Sequence, residues 1–175
     1  VEFDFPCERP ENFHYIDALV DAERQQGTPF DWSRVQDGRR VIYLSVGTQG
    51  WVMREAAGFL RTVIEAVGRR PDWHLVPSAG RFVAREALGP LPANVEVHER
   101  VPQIQVLGRA SLMITHAGLN SIKESILAGV PMLAFPAGRD QPGNAPRIHY
   151  HRLGKRGDYR RIGVEEAGAD PRGDR

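Results

Sequence analysis

The stretch Leu112-Met113-Ile114-Thr115-His116-Ala117-Gly118-Leu119-Asn120-Ser121-Ile122-Lys123-Glu124 decides how the chain is read. It passes from strand to glycine turn to helix in one short run. Leu112-Met113-Ile114 is apolar with no polar alternation, which suits a parallel strand buried on both faces. Gly118 then permits a tight turn. Asn120 and Ser121 lie where a helix begins, and Ile122 and Ile126 are spaced i, i+4 toward a core. The first turn of such a helix presents N–H groups with no carbonyl partner. Together with the positive end of the helix dipole, they favour phosphate without any lysine. Glu124 sits four residues after Asn120 on the same face, roughly 6 Å further along the axis, which is about one phosphate-to-ribose step. A carboxylate there accepts hydrogen bonds from a pair of ribose hydroxyls, whereas beside a phosphate it would repel. Gly129-Val130-Pro131 and the polar pair Asp140-Gln141 follow, the latter behind another apolar run.

Working outward, strand-like and helix-like segments alternate. Strands are expected over 41–46, 73–77, 94–98, 112–115 and 132–135, and helices over 53–68, 81–88, 103–109, 119–128 and 143–153. Such alternation argues an α/β protein with a parallel sheet and helices on both faces. Residues 1–40 hold Pro6, Pro10 and Pro29 with no sustained period and read as a linker segment, residues 41–154 as the domain. Residues 155–175, broken by Gly168, Pro171 and Gly173, read as a divergent or truncated tail.

Composition bounds the function. The chain has 175 residues, 41% hydrophobic and 26% charged, enough for one ordinary core, and its net charge of +1 carries no message about partners. No basic stripe with interleaved aromatics occurs, so nucleic acid is not an expected partner. Cys7 is the single cysteine and allows no internal disulfide. No apolar run approaches the ~20 residues that span a bilayer, and a cytoplasmic location is expected. Gly47-Thr48-Gln49-Gly50 lacks the lysine and serine of a P-loop, and no Gly-x-Gly-x-x-Gly follows a strand, so ATPase and dinucleotide readings both fail. His149 and His151 are i, i+2 on the expected helix and face apart, which speaks against a metal pair. No Asp-x-Asp offers a divalent-cation handle, and the Arg-Gly-Asp triplets at 156–158 and 172–174 read as chance in a basic tail.

The order His116-x-Gly118-x-Asn120-Ser121-x-x-Glu124, then Gly129-Val130-Pro131, Asp140-Gln141 and Asn144-Ala145, resembles the donor-binding signature of nucleotide-diphosphate-sugar glycosyltransferases that act on small lipophilic acceptors. Val41 to Thr48 is similar to the first strand and phosphate loop of that family's C-terminal domain, and Val101-Pro102-Gln103 to a segment that precedes the signature. Phe3-Asp4-Phe5-Pro6 resembles the exit from the family's N-terminal domain. Asp140 to Ala145 with Arg147-Ile148 resembles the bacterial carotenoid and macrolide glucosyltransferase branch, and the likeness runs from Phe3 to Gly154.

The resemblance implies the Rossmann-like C-terminal half of a GT-B fold. It also implies inverting, metal-independent transfer of a sugar, glucose, from a UDP-sugar to an acceptor hydroxyl, with no cofactor beyond that donor substrate. The donor diphosphate falls to Thr48, His116, Gly118, Asn120 and Ser121; ribose and base to Arg100, Val101, Gln103 and Glu124; the sugar to Asp140 and Gln141. Arg100 stands where the family often has an aromatic that stacks on the base, a role a guanidinium plane can also fill. UDP and dTDP both remain open, and Glu124 favours a ribonucleotide. No catalytic base is assigned to this chain. The base and the acceptor pocket belong to an N-terminal acceptor-binding domain or partner chain. Each residue also has a plainer reading: His116 a structural histidine, Asn120 and Ser121 helix caps, Glu124 a solvated helix face, Thr48 a turn residue, Asp140-Gln141 a polar loop. A non-catalytic nucleotide-sugar-binding module, a subunit of a split transferase, and a nucleotide-sugar epimerase are the alternative functions.

Overall fold

The computed structural model describes residues 3–16, 19–21, 29–35, 38–47 and 55–164. Five parallel strands carry the architecture: β1 (Arg40–Ser45), β2 (Trp73–Ser78), β3 (Ala110–Thr115), β4 (Met132–Ala134) and β5 (Gly154–Arg156), in the spatial order β2-β1-β3-β4-β5. The helices are α1 (Ala56–Gly68), α2 (Gln103–Leu107), α3 (Leu119–Leu127) and α4 (Gln141–Tyr150).

The central strand shows why the sheet is covered on both sides. Successive side chains of a strand point to opposite faces. Ile42 and Leu44 accordingly join Phe59, Leu60, Val63, Ile64 and Val67 of α1, whereas Val41 and Tyr43 join Val106, Leu107, Ile122 and Ile148 of α2, α3 and α4. β3 repeats the division, with Leu112 and Ile114 on the α1 side and Met113 on the other. A strand buried on both faces has no polar position to alternate with, so the apolar run at 112–114 is explained. Each fully buried Leu, Val or Ile contributes about 1.5–3 kcal/mol.

Several expected elements differ. The stretch 81–88 forms only a 3-10 turn at Arg85–Leu88. Gly80 and Gly89 bracket it at φ +67° and +69°, and of the apolar residues that would have made a helix face, Phe82 is 45% exposed and Leu88 alone is buried in the turn. The expected strand over 94–98 is reduced to two isolated parallel bridges, Leu75 with Val95 and Ser78 with His98. It lies outside β2 all the same. Counted as a strand position, it gives the order 3-2-1-4-5-6 of the doubly wound nucleotide-binding sheets. β5 was not expected; Gly154-Lys155-Arg156 has no apolar pattern. Ile126, expected in the core, is 40% exposed, and α3 instead buries Ser121, Ile122, Glu124 and Ser125. The helix begun at 143 starts two residues earlier, at Gln141, with Pro142 in its first turn where a missing N–H costs nothing.

Residues on either side of the expected domain pack against it. Phe30 is buried with Val41 and Tyr43, and its N–H donates to Gln105 Oε1 at 2.8 Å. Asp4 pairs with Arg147 of α4 at 2.8 Å, and His151 Nε2 donates to the Asp4 carbonyl at 3.0 Å. Beyond β5, Tyr159 enters the α1-side core. Among the described residues no helix is long and apolar enough to cross a membrane.

Candidate functional site

In sheets of this order the chain leaves β1 toward one side and β3 toward the other, opening a crevice beyond their carboxyl ends. The crevice here is a cleft of about 1040 Å3. Ser45 and Gly47 line it from the end of β1, Arg100 to Gln103 from the approach to α2, and Glu124 from α3. His116, the start of α3 and the segment Arg139 to Gln141 close the other side.

The turn after β3 is built around an imidazole. Thr115 Oγ1 accepts the Ala117 N–H at 3.2 Å, and Ala117 takes the left-handed conformation at φ +66°. Gly118, expected to permit the tight turn, is itself extended at φ −68° and ψ 137°. Its glycine identity has another cause. A Cβ there would lie 2.5 Å from His116 Nε2, and one at Gly47, itself at φ +76°, would also lie 2.5 Å from Nε2. The ring is thus wedged between two backbone segments that approach it as only glycine can. His116 Nδ1 faces the Ser45 carbonyl at 3.4 Å. Burial lowers the imidazole pKa below its ordinary value, opposed by the Ser45 carbonyl and the Asp140 charge, so the ligand-free ring is neutral at pH 7.

α3 starts where this turn ends. Its first internal bond is Ile122 N–H to the Gly118 carbonyl at 3.1 Å, and no side chain caps its N-terminus. Asn120 and Ser121 are therefore not caps. They occupy the first turn, and its N–H groups are directed out of the helix beside His116.

One turn deeper the side chains interlock. Gln103 Nε2 donates to Glu124 Oε2 at 2.6 Å and to Ser121 Oγ at 3.2 Å, while Gln103 Oε1 accepts from the Tyr43 hydroxyl at 2.8 Å. Glu124 is 6% exposed, which rules out a solvated helix face. Burial pushes the Tyr43 phenol well above its ordinary range, with hydrogen bonding to Ser45 and Ser78 acting the other way, so it remains a neutral donor.

The opposite wall is organised by α4. Gln141, 5% exposed, accepts the N–H groups of Ala137 and Gly138 at 2.9 and 3.1 Å through Oε1, so a ligand contact falls to its amide nitrogen. Asp140 is exposed at the cleft and accepts from Asn144 Nδ2 at 2.8 Å, and the same nitrogen donates to the Ala117 carbonyl at 3.0 Å. Asn144, not among the expected site residues, thereby ties the Asp140 segment to the His116 turn. Its i, i+4 spacing from Asp140 was the available signal.

His116, Gly118, Asn120, Ser121, Arg100, Val101, Gln103, Glu124, Asp140 and Gln141 all line the one cleft. Thr48 lies outside the described residues. His149 is exposed and His151 is turned to Asp4, away from the cleft.

A strand end, an uncapped helix N-terminus and a carboxylate one turn further on are the geometry expected of a nucleotide-sugar site, and known sequences carry the same pattern. The profile of the family described as UDP-glucoronosyl and UDP-glucosyl transferase matches residues 1–163. The chain belongs to that family. This UDP-glycosyltransferase chain is 38% identical over 139 residues to the oleandomycin glycosyltransferase of Streptomyces antibioticus, a match covering 79% of the chain and 30% of the relative. With the zeaxanthin glucosyltransferase of Pantoea ananas it shares 29% identity over 157 residues, 89% of the chain and 36% of the relative. The crystal structure of the glycotransferase of kitacinnamycin superposes with a TM-score of 0.74 at 34% identity, over 83% of this chain and 36% of that one. The UDP-glycosyltransferase chain thus spans about a third of the length of these relatives. It corresponds to the C-terminal, Rossmann-like part of the GT-B fold.

Proposed function

We propose that this chain is the donor-binding part of an inverting, metal-independent glycosyltransferase that moves glucose from UDP-glucose to a hydroxyl of a small lipophilic acceptor. The observation that carries the reading is the wedged His116 beside the uncapped start of α3, with the Glu124 carboxylate one helical turn deeper. The diphosphate sits against His116 and the first-turn N–H groups, the ribose against Glu124, and the glucose toward Asp140 and Gln141. Thr48 and Arg100 are assigned to the phosphate and the base by the family resemblance. The names of the oleandomycin and zeaxanthin relatives support a lipophilic hydroxylated acceptor, and the latter supports glucose.

In the reaction the acceptor oxygen attacks the anomeric carbon from the face opposite the diphosphate. A carbon–oxygen bond forms there as the bond to the β-phosphate oxygen breaks, which inverts the centre. The leaving diphosphate gains negative charge at that moment, and preorganised donors already aimed at it lower the barrier. Here those are the helix N-terminus, Ser121 and His116. The acceptor's proton goes to a base on an acceptor-binding domain, since none of the residues lining this cleft is assigned that role.

Titration calorimetry with UDP-glucose in excess chelator tests the reading. Saturable binding unaffected by the chelator is expected, because phosphate neutralisation is assigned to backbone donors and His116. Binding that collapses when divalent cations are removed would sink the metal-free site, and no binding under either condition would sink the donor site.

A pH dependence follows from the neutral imidazole. The diphosphate of UDP-glucose favours imidazolium, so the bound pKa of His116 lies above the lowered free one. Binding then takes up a proton. Affinity is highest below the free-state pKa, which burial holds under the ordinary 6.5, and falls as pH rises from there toward the bound-state pKa. Calorimetry in buffers of different ionisation enthalpy should register that uptake, and its absence across that interval would place His116 away from the phosphates.

A further inference from the structure

We infer that Tyr43 and Gln103 act as positioning residues: they hold the Glu124 carboxylate in the orientation that receives a vicinal diol, and so set the preference of the cleft for ribonucleoside over 2′-deoxyribonucleoside diphosphates. The inference rests on the donor-site reading above and adds to it the means by which the carboxylate is held.

Tyr43 is 1% exposed in β1, flanked by β2 and β3, so its phenol has a fixed origin. Its hydroxyl donates to Gln103 Oε1 at 2.8 Å. A primary amide has one accepting end and one donating end. Pinning Oε1 on the tyrosine therefore turns Nε2 the other way, to 2.6 Å from Glu124 Oε2 and 3.2 Å from Ser121 Oγ. An ionised carboxylate only accepts, so the direction of the amide decides whether Gln103 attracts or repels Glu124. Reversed, it would set an amide oxygen against a carboxylate oxygen and drive the glutamate to another rotamer.

The consequence for a ligand is specific. Two hydroxyls on adjacent carbons can both donate to a carboxylate only if its plane is set beforehand. A 2′-deoxyribose supplies one hydroxyl and gains less from that arrangement. Removing the tyrosine hydroxyl leaves the fold of β1 in place but frees the amide to turn over. The loss should then appear where both ribose hydroxyls are present and not where one is missing.

The test is calorimetric titration of the whole chain with UDP, 2′-deoxy-UDP and pyrophosphate. Tyr43→Phe should weaken UDP roughly five- to tenfold, the effect of one hydrogen bond to a charged network, and leave 2′-deoxy-UDP and pyrophosphate within about twofold. In a Glu124→Ala background the same substitution should have no further effect on UDP, because its route runs through the carboxylate. Gln103→Met, which keeps length and removes the hydrogen bonds with Tyr43, Glu124 and Ser121, should reproduce the loss of selectivity and serves if Tyr43→Phe does not fold. A parallel fall in UDP and 2′-deoxy-UDP, or an undiminished effect of Tyr43→Phe without Glu124, overturns the inference. Equal affinity of the unaltered chain for UDP and 2′-deoxy-UDP also overturns it while leaving the donor site standing. Binding of neither nucleotide overturns both.

Discussion

Gly154→Ala is expected to destabilise the domain by about 3 kcal/mol, the upper end of the usual cost of overpacking. The residue pairs with Met132 where β5 joins β4, and a Cβ on it would fall onto the Met132 carbonyl oxygen and 2.7 Å from its carbon. The obstructing atoms are backbone, in a strand that β3 holds from its other side. No rotamer change can clear them. The strands must separate, and the Met132 N–H to Leu153 carbonyl bond at 2.9 Å and the Gly157 N–H to Ala134 carbonyl bond at 2.9 Å flank the place where they would part. For a chain of this size the midpoint should drop by about 6–12 °C in a thermal melt. Gly163→Ala is the control, since nothing lies within 4 Å of a Cβ built there. A melting temperature of Gly154→Ala within about 2 °C of the control would mean that β5 is not packed as described.

That glycine also shows where sequence reading stops. The strands at β1, β2, β3 and β4 were legible because burial on both faces demands apolar runs, here too short for a helix and bounded by polar or turn residues. β5 is an edge of three residues, half-buried or exposed, and its one requirement is the absence of a side chain at Gly154. Glycine is the residue that also marks turns and chain breaks, so the signal was indistinguishable from the end of a domain. The stretch 81–88 misled in the opposite sense. Ala84, Arg85, Ala87 and Leu88 have good helix propensity, yet Ala84 to Ala87 are all exposed and Leu88 alone is buried, and short helices in water depend on packing more than on propensity.

Within the site, residue types were legible and their division of labour was not. A glycine after His-Ala suggested a tight turn, but the left-handed residue is Ala117, and both Gly118 and Gly47 are glycine because an imidazole lies against their backbones. The contact of His116 with Gly47 joins residues far apart in sequence and has no periodicity. The Gln103–Glu124 bond and the link from Asn144 to Ala117 are of the same kind. Ala117 sits at φ +66° with no exposed surface, a strain of about 1–2 kcal/mol held by the surrounding packing. Strain of this size persists where its removal would misplace something, here the ring on one side and the helix start on the other.

The separate jobs of His116 and Glu124 give the largest functional effects. His116→Ala is expected to weaken UDP and pyrophosphate alike, by about 1.5–3 kcal/mol, the range for a hydrogen bond to a charged group. Two causes act together. The imidazolium that the diphosphate would stabilise is lost, and the space it fills between Gly47 and Gly118 is vacated, so the start of α3 loses its spacing from the end of β1. Both act on phosphate. Glu124→Ala should cost UDP a similar amount and leave pyrophosphate unchanged, because the carboxylate lies a turn deeper, where the amide of Gln103 donates to it. Removing a negative charge could by itself favour an anion, which makes the sign informative: a purely electrostatic glutamate would bind both ligands better once deleted. A loss confined to UDP requires a partner that pyrophosphate lacks, and the ribose supplies it. Isothermal titration of the two variants with the two ligands gives four changes in affinity. Equal losses of UDP and pyrophosphate in Glu124→Ala would reduce the residue to a prop for the phosphate turn, and loss of UDP alone in His116→Ala would move the imidazole from the phosphates to the nucleoside.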